Sequence, residues 1–207
     1  MSKSKYKIYN GKSLKKIYEN SRVFVLIAML SVGIVAGASV LKSSPNFSED
    51  ISSLIGLFSS SRAEEGIIVN FINSFAVNGI FIFINLFLGF SVIGYPFLLI
   101  LPLLKGLGVG AISGYLYSAH KFYGLCYCLF IVYPAAVVAS FALIQACNDS
   151  IEYSKNAYLK AVKGRGQYEK DETRVYLSRQ LVFLGLSALS SVIDVITCEF
   201  FSGLFEI

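Results

Sequence analysis

GIIVNFINSFAVNGIFIFINLFLGFSVIGYPFLLILPLLKGLGVGAISGYLYSA, residues 66–119, contains one charged side chain, Lys105. About 20 apolar residues coiled as an α-helix match the roughly 30 Å hydrocarbon core of a bilayer. This run is long enough for two such crossings with a tight turn between them. Gly94-Tyr95-Pro96 supplies the turn, because proline disfavours helix at the residue before it and glycine accepts backbone angles that other residues avoid. The expected helices are 68–93 and 96–118.

The flanking sequence repeats the pattern. Residues 1–22 hold Lys3, Lys5, Lys7, Lys12, Lys15, Lys16 and Arg22 against one acid, Glu19, and residues 23–41 then carry no charge. The long apolar stretch, the extended basic lead and the poor cleavage site at Lys42-Ser43-Ser44-Pro45 favour a retained anchor over a signal peptide. Residues 42–66 form a polar, serine-rich outer loop. Within it Ile51, Leu54, Ile55 and Phe58 follow the spacing of an amphipathic helix, started by Asn46 and Glu49 as a capping box. This stripe rests on the bilayer or the bundle, or it forms a docking surface for a partner. Beyond a turn at His120-Lys121, a fourth helix is expected over 122–145, kinked where Pro134 removes a backbone donor. Residues 146–179 return to mixed charge and read as a solvated cytoplasmic loop in two helix-like halves divided by Gly164-Arg165-Gly166. A fifth apolar segment, 175–201, is interrupted by Asp194 and Glu199.

The composition agrees. The chain is 55% hydrophobic and 15% charged, where soluble domains run near one quarter charged. The expected fold is therefore all-α: a polytopic membrane protein of about five transmembrane helices, with a basic cytoplasmic segment at 1–22 and a helical membrane domain at 23–207. The net charge of +5 lies in two clusters beside apolar segments without a recognition motif, so membrane topology and not nucleic acid explains it. Cytoplasmic segments retain lysine and arginine. Five crossings with the N-terminus inside place seven basic residues in each inner cluster, leave Lys42, Arg62 and Lys121 outside, and put the C-terminus outside.

Ionisable groups at membrane depth cost several kcal/mol unless they face protein, water or a partner. Lys105 is the most informative of these. In Pro102-Leu103-Leu104-Lys105-Gly106 the proline and glycine weaken regular helix and would allow a broken or re-entrant segment near Pro96 to Gly106. Lys105 either belongs to a polar seam that binds an ion or a partner helix, or snorkels to the cytoplasmic interface. Asp194 would neutralise it if their helices touch. Gly106, Gly108, Gly110 and Gly114 include small residues four apart, the spacing of close helix packing in lipid. His120 has no nucleophile or ligand set beside it in sequence, and the four cysteines lack zinc-site spacing. No cofactor or catalytic residue is expected. A transporter or permease subunit is the competing reading, with Lys105 lining a path, although no repeated halves support it.

Gly94-Tyr95-Pro96, Leu98-Leu99-Ile100, Leu104-Lys105-Gly106, Gly110 and Gly114-Tyr115-Leu116 together resemble the stage II sporulation protein M family. The resemblance covers about residues 20–145 and is supported by the basic N-terminus, the anchor and the outer helix beginning near Phe47. It implies a non-enzymatic membrane scaffold that localises two peptidoglycan-degrading partners, stage II sporulation proteins D and P, at the septum during forespore engulfment. It also implies that Gly94, Pro96, Lys105 and Gly106 shape the membrane domain. Residues 146–179 match the family pattern less clearly. Lipid is the remaining expected partner, and an oligomer is compatible with the reading.

Overall fold

The protein is described by a computed structural model covering residues 21–39, 66–91, 94–163 and 170–202. All regular structure among the described residues is helical. We label the helices α1 (Ser21–Ser39), α2 (Ile67–Phe90), α3 (Gly94–Tyr127), α4 (Tyr133–Lys163) and α5 (Lys170–Ser202), with a π-turn, Cys128–Val132, joining α3 to α4. The segment expected to form the outer loop, with Ile51, Leu54, Ile55 and Phe58, lies outside the described residues.

Four stretches are long and apolar enough to cross a membrane, and one of them, Gly94–Leu159, runs for 66 residues. A straight helix of that length would measure about 100 Å, three times the hydrocarbon core. It is bent at Lys121 (φ 49°, ψ −117°), a backbone region that residues with a Cβ rarely occupy. Beyond the bend the chain returns on itself. Leu98 and Leu101 share a core with Leu143, Ile144, Cys147 and Ile151, so residues similarly distant from Lys121 meet. The stretch is thus an antiparallel hairpin with length for two crossings, in keeping with the expected total of about five.

Local chemistry explains where the helices begin and bend. The turn between α2 and α3 falls at Ser91, and a Cβ on Gly94 would overlap the Leu88 carbonyl. Pro96 then stands in the first turn of α3, where its missing N–H would have had no helical partner. The segment from Pro96 to Gly106 runs as continuous helix. Pro102 is accommodated inside it, as prolines in membrane helices are when neighbouring elements surround them. The kink expected at Pro134 takes the form of the π-turn just before it, in which Tyr133 N–H reaches back to the Cys128 carbonyl. Residues 146–179 contain the two expected helical halves: α4 continues to Lys163 and α5 starts at Lys170. Charged composition alone does not distinguish a loop from a helix pair, and here Ser150, Ile151, Ser154 and Ala157 are buried at helical spacing.

The faces of the helices are inside out relative to a water-soluble bundle. On α2, Val77, Ile80, Phe83 and Phe87 point outward, while Ser74, Asn85 and Gly89 are buried. On α5, Leu181, Val182, Leu189 and Ile196 are exposed, while Gln180, Ser187, Ser190, Ser191 and Asp194 are buried. Such a surface suits lipid, which solvates apolar groups and offers polar groups no partner.

Helices α1 and α3 touch backbone to backbone. A Cβ on Gly33 would overlap the Leu103 carbonyl oxygen, and one on Gly37 that of Leu107. Reciprocally, Gly106 faces the carbonyl of Leu30 and Gly110 that of Ile34. Two glycine pairs at four-residue spacing, one on each helix, therefore form the crossing. The packing read from Gly106 and Gly110 is correct, and its counterpart on α1 is Gly33 and Gly37.

Gly110→Ala should cost about 1–3 kcal/mol, because its methyl has no room beside the Ile34 carbonyl. Gly108→Ala, whose Cβ would meet nothing within 4 Å, should be neutral. Thermal aggregation of the detergent-solubilised variants checks the difference; equal heat resistance of the two would refute the crossing.

Candidate functional site

A row of polar side chains lines one face of α5. Tyr176, Gln180, Ser187, Ser190, Ser191 and Asp194 share its buried face, at the three- and four-residue steps that keep positions on one side of a helix. The facing side of α4 is small: Ala135, Ala139, Ala142, Ala146 and Ser150 are all buried. Small residues bring the helices close enough for side chains of α5 to reach the α4 backbone. Gln180 Nε2 donates to the Ala146 carbonyl at 3.3 Å, Ser190 Oγ to Ala135 at 2.7 Å and Thr197 Oγ1 to Ile131 at 3.3 Å. The pairing falls on α4 as it rises on α5, which fixes an antiparallel register.

Toward the end of the bundle that holds Arg22, this seam widens into a network across three helices. Asn85 Nδ2 on α2 donates to Gln180 Oε1 at 3.1 Å, and Gln180 Nε2 donates to Ser150 Oγ at 3.1 Å. Ser150 Oγ and the Tyr176 hydroxyl are 2.9 Å apart, and that hydroxyl also reaches the Leu86 carbonyl at 3.4 Å. Gly89 makes the arrangement fit, since a Cβ there would overlap the tyrosine oxygen. Ser154 Oγ donates to the Ser91 carbonyl at 2.7 Å and ties α4 to the α2–α3 turn.

Next to the network lies a groove of about 350 Å³ between α4 and α5. Tyr153 and Tyr176 stack within it at 4.3 Å, with Phe90 edge-on to both. Tyr153 OH meets Thr173 Oγ1 at 2.9 Å. The remaining wall is charged: Asp149, Glu152, Glu172 and Arg179 line it. Arg179 pairs with Asp149 at 3.4 Å, and Arg22 of α1 pairs with Glu152 at 3.6 Å.

Lys105 occupies the middle of α3. Its Nζ donates to Asn78 Oδ1 of α2 and lies 5.4 Å from the centroid of the Phe81 ring. The carboxylate of Asp194, on a residue 8% exposed, attracts the same ammonium. Lys105 thus sits in a polar seam between α2 and α3, with Asp194 of α5 acting on it through charge across the bundle.

The other motif residues serve different places. Gly106 turns to α1, while Gly94 and Pro96 lie in the first turn of α3, just after the α2–α3 turn. His120 is exposed beside the bend at Lys121. Among the described residues no group of three or more His, Cys, Asp and Glu side chains could hold a metal ion. The network of Asn85, Ser150, Tyr176 and Gln180 was not legible from motifs. Its available signal was amides within apolar helices, Asn85 as one of four asparagines in α2 and Gln180 as the one amide of α5, each needing a partner at that depth.

Comparison with known families returns a match of residues 25–198 to the family described as SpoIIM, stage II sporulation protein M. Comparisons with curated proteins and with solved structures return no match.

Two outcomes follow from the polar contacts. Gln180→Ala should destabilise the bundle by about 1–2 kcal/mol, since Asn85 and Ser150 both lose a partner, and this is read as a lower midpoint of thermal unfolding in detergent. Lys105→Asp and Asp194→Lys should each reduce accumulation in the membrane, and combining the two exchanges should restore it. Immunoblotting of membrane fractions measures the rescue; a double variant as depleted as the singles would exclude the pairing.

Proposed function

The chain belongs to the stage II sporulation protein M family, a family of sporulation-related membrane proteins, and we propose that it is a non-enzymatic scaffold that localises peptidoglycan hydrolases at the septum during forespore engulfment. The partners by family resemblance are stage II sporulation proteins D and P. In this reading the chain performs no bond chemistry and supplies position.

The observation that carries the proposal is the internal use of the bundle's mid-depth charges. Lys105 of α3 is held by Asn78 of α2 and attracted by Asp194, and Asn85 with Gln180 joins α2 to α5. The α1–α3 glycine crossing and the α4–α5 hydrogen bonds complete the joining of all five helices. A body tied in this way supports a fixed platform better than a carrier, whose halves must rock against one another.

Orientation completes the reading. With the two basic clusters inside, the end bearing Arg22, Arg179 and the α4–α5 extensions faces the cytoplasm. Residues 42–66 and the C-terminus then face outside, where cell-wall enzymes act. Ile51, Leu54, Ile55 and Phe58 would present the docking stripe for them, and the septal membrane would be the site of action.

Affinity isolation of the tagged chain from sporulating cells should recover cell-wall hydrolases, and Ile51→Asp combined with Phe58→Asp should release them while the chain stays in the membrane. Unchanged recovery from the double variant would reject this stripe as the docking surface. Recovery of a transport ATPase instead, with solute flux in vesicles of the purified chain, would replace the scaffold reading with that of a transporter subunit.

A further inference from the structure

Seven consecutive residues at the bend of the long hairpin, 117–123, are all exposed. Three of them carry rings: Tyr117 is 59%, Phe122 72% and Tyr123 71% exposed. The bend itself keeps them there. Lys121 holds a positive φ of 49°, a conformation that persists only where the surrounding chain imposes it. Gly124 comes so close to the preceding arm that a Cβ there would overlap the Leu116 carbonyl oxygen. A turn this tight has no interior in which to bury its own rings.

The lengths of the two arms place this tip at a definite depth. Gly94, where α3 begins, precedes Lys121 by 27 residues, and Asp149, the first charged residue of the returning arm, follows it by 28. At the helical rise each arm spans roughly 40 Å, the thickness of a hydrocarbon core together with its two headgroup regions. With Gly94 and Asp149 at one face of the membrane, the tip falls among the headgroups of the other. The residue types suit that depth. Tyrosine is enriched at the membrane–water interface, and a lysine there extends its ammonium toward the headgroups along an apolar stem. No acidic side chain occurs between Glu65 and Asp149 to repel a phosphate.

We propose that the hairpin tip, residues 117–123, is a binding surface for phospholipid headgroups, with Tyr117, Phe122 and Tyr123 seated at the glycerol level and the Lys121 ammonium on lipid phosphate. The surface belongs to the leaflet opposite the Arg22 end of the bundle, so the inference is independent of which face is cytoplasmic and of the hydrolase partners. Lipid at the tip fixes the height of the hairpin in the membrane. Because Leu98 and Leu101 of one arm share the core with Leu143 and Ile144 of the other, it fixes the height of the bundle as well.

The chain contains no tryptophan, so a single introduced indole reports its depth alone. Tyr123→Trp in the full-length chain, in phosphatidylcholine nanodiscs with nitroxide-labelled lipid, should be quenched about twice as strongly by a nitroxide near the glycerol as by one deep in the acyl chain, the order expected of a ring at the interface. Leu104→Trp, at an exposed position of α3 17 residues before Lys121, should show the reverse order and calibrates the scale. Lys121→Leu added to Tyr123→Trp should shift the order toward the deep nitroxide, whereas Lys121→Arg should preserve it. Strong quenching of Tyr123→Trp by aqueous acrylamide with none by either nitroxide would show the tip standing in water, open to a protein partner, and would overturn the proposal. Stronger quenching by the deep nitroxide would overturn it too, and an order that Lys121→Leu leaves unaltered would reject the phosphate contact.

Discussion

Hydrocarbon cannot donate or accept a hydrogen bond, and the organisation of this protein follows from that constraint. Each helix satisfies its own backbone, so what distinguishes the five is where each sends its few polar side chains. Those of α5 turn toward α4, meeting carbonyls at Ala135 and Ala146. Asn85 and Asn78 turn from α2 toward Gln180 and Lys105. The outer surface is left to valine, isoleucine, leucine and phenylalanine, which gain nothing from packing on one another that lipid does not also provide.

Two kinds of adhesion replace the hydrophobic core of a soluble bundle. Between α1 and α3 it is close backbone approach, possible only because glycine stands at Gly33, Gly37, Gly106 and Gly110. Between α4 and α5 it is hydrogen bonding across a face of alanine and serine. A single interhelical side-chain bond in a membrane averages below about 1 kcal/mol, so the fold depends on many such contacts at once. The groove sits where the two meet: Arg22 arrives on the helix fixed by the glycine crossing, and Glu152 on the helix fixed by the α5 bonds.

Charge-free runs made the helices legible in sequence, because bilayer thickness converts run length directly into a crossing. The bends were legible too, since Gly94 and Pro134 are residues that disturb a helix; whether the disturbance becomes a turn, a π-turn or nothing depends on neighbours outside the local sequence. Pro102 shows this, lying in continuous helix where the sequence also allowed a break. The glycine crossing was half legible, because one member of a pair does not reveal its mate. Contacts such as Asn85 with Gln180, 95 residues apart, have no local pattern at all. The two helical halves of residues 146–179, divided at Gly164-Arg165-Gly166, were legible, whereas the burial of Ser150, Ser154 and Ala157 was not, because it depends on a partner helix. That Lys105 needs partners was legible because a charge in an apolar helix is costly; that Asn78 of α2 supplies one was not.

The extension of α4 and α5 past their last apolar turns has a mechanical consequence. From Asp149 to the end of α4 at Lys163 the helix rises roughly 20 Å, and from Lys170 to Arg179 the paired helix rises about 14 Å. Bound side by side through Tyr153, Thr173 and the Arg179–Asp149 pair, these arms make a short stiff mast. A tilt of the bundle would be magnified along these arms into a swing of their far ends.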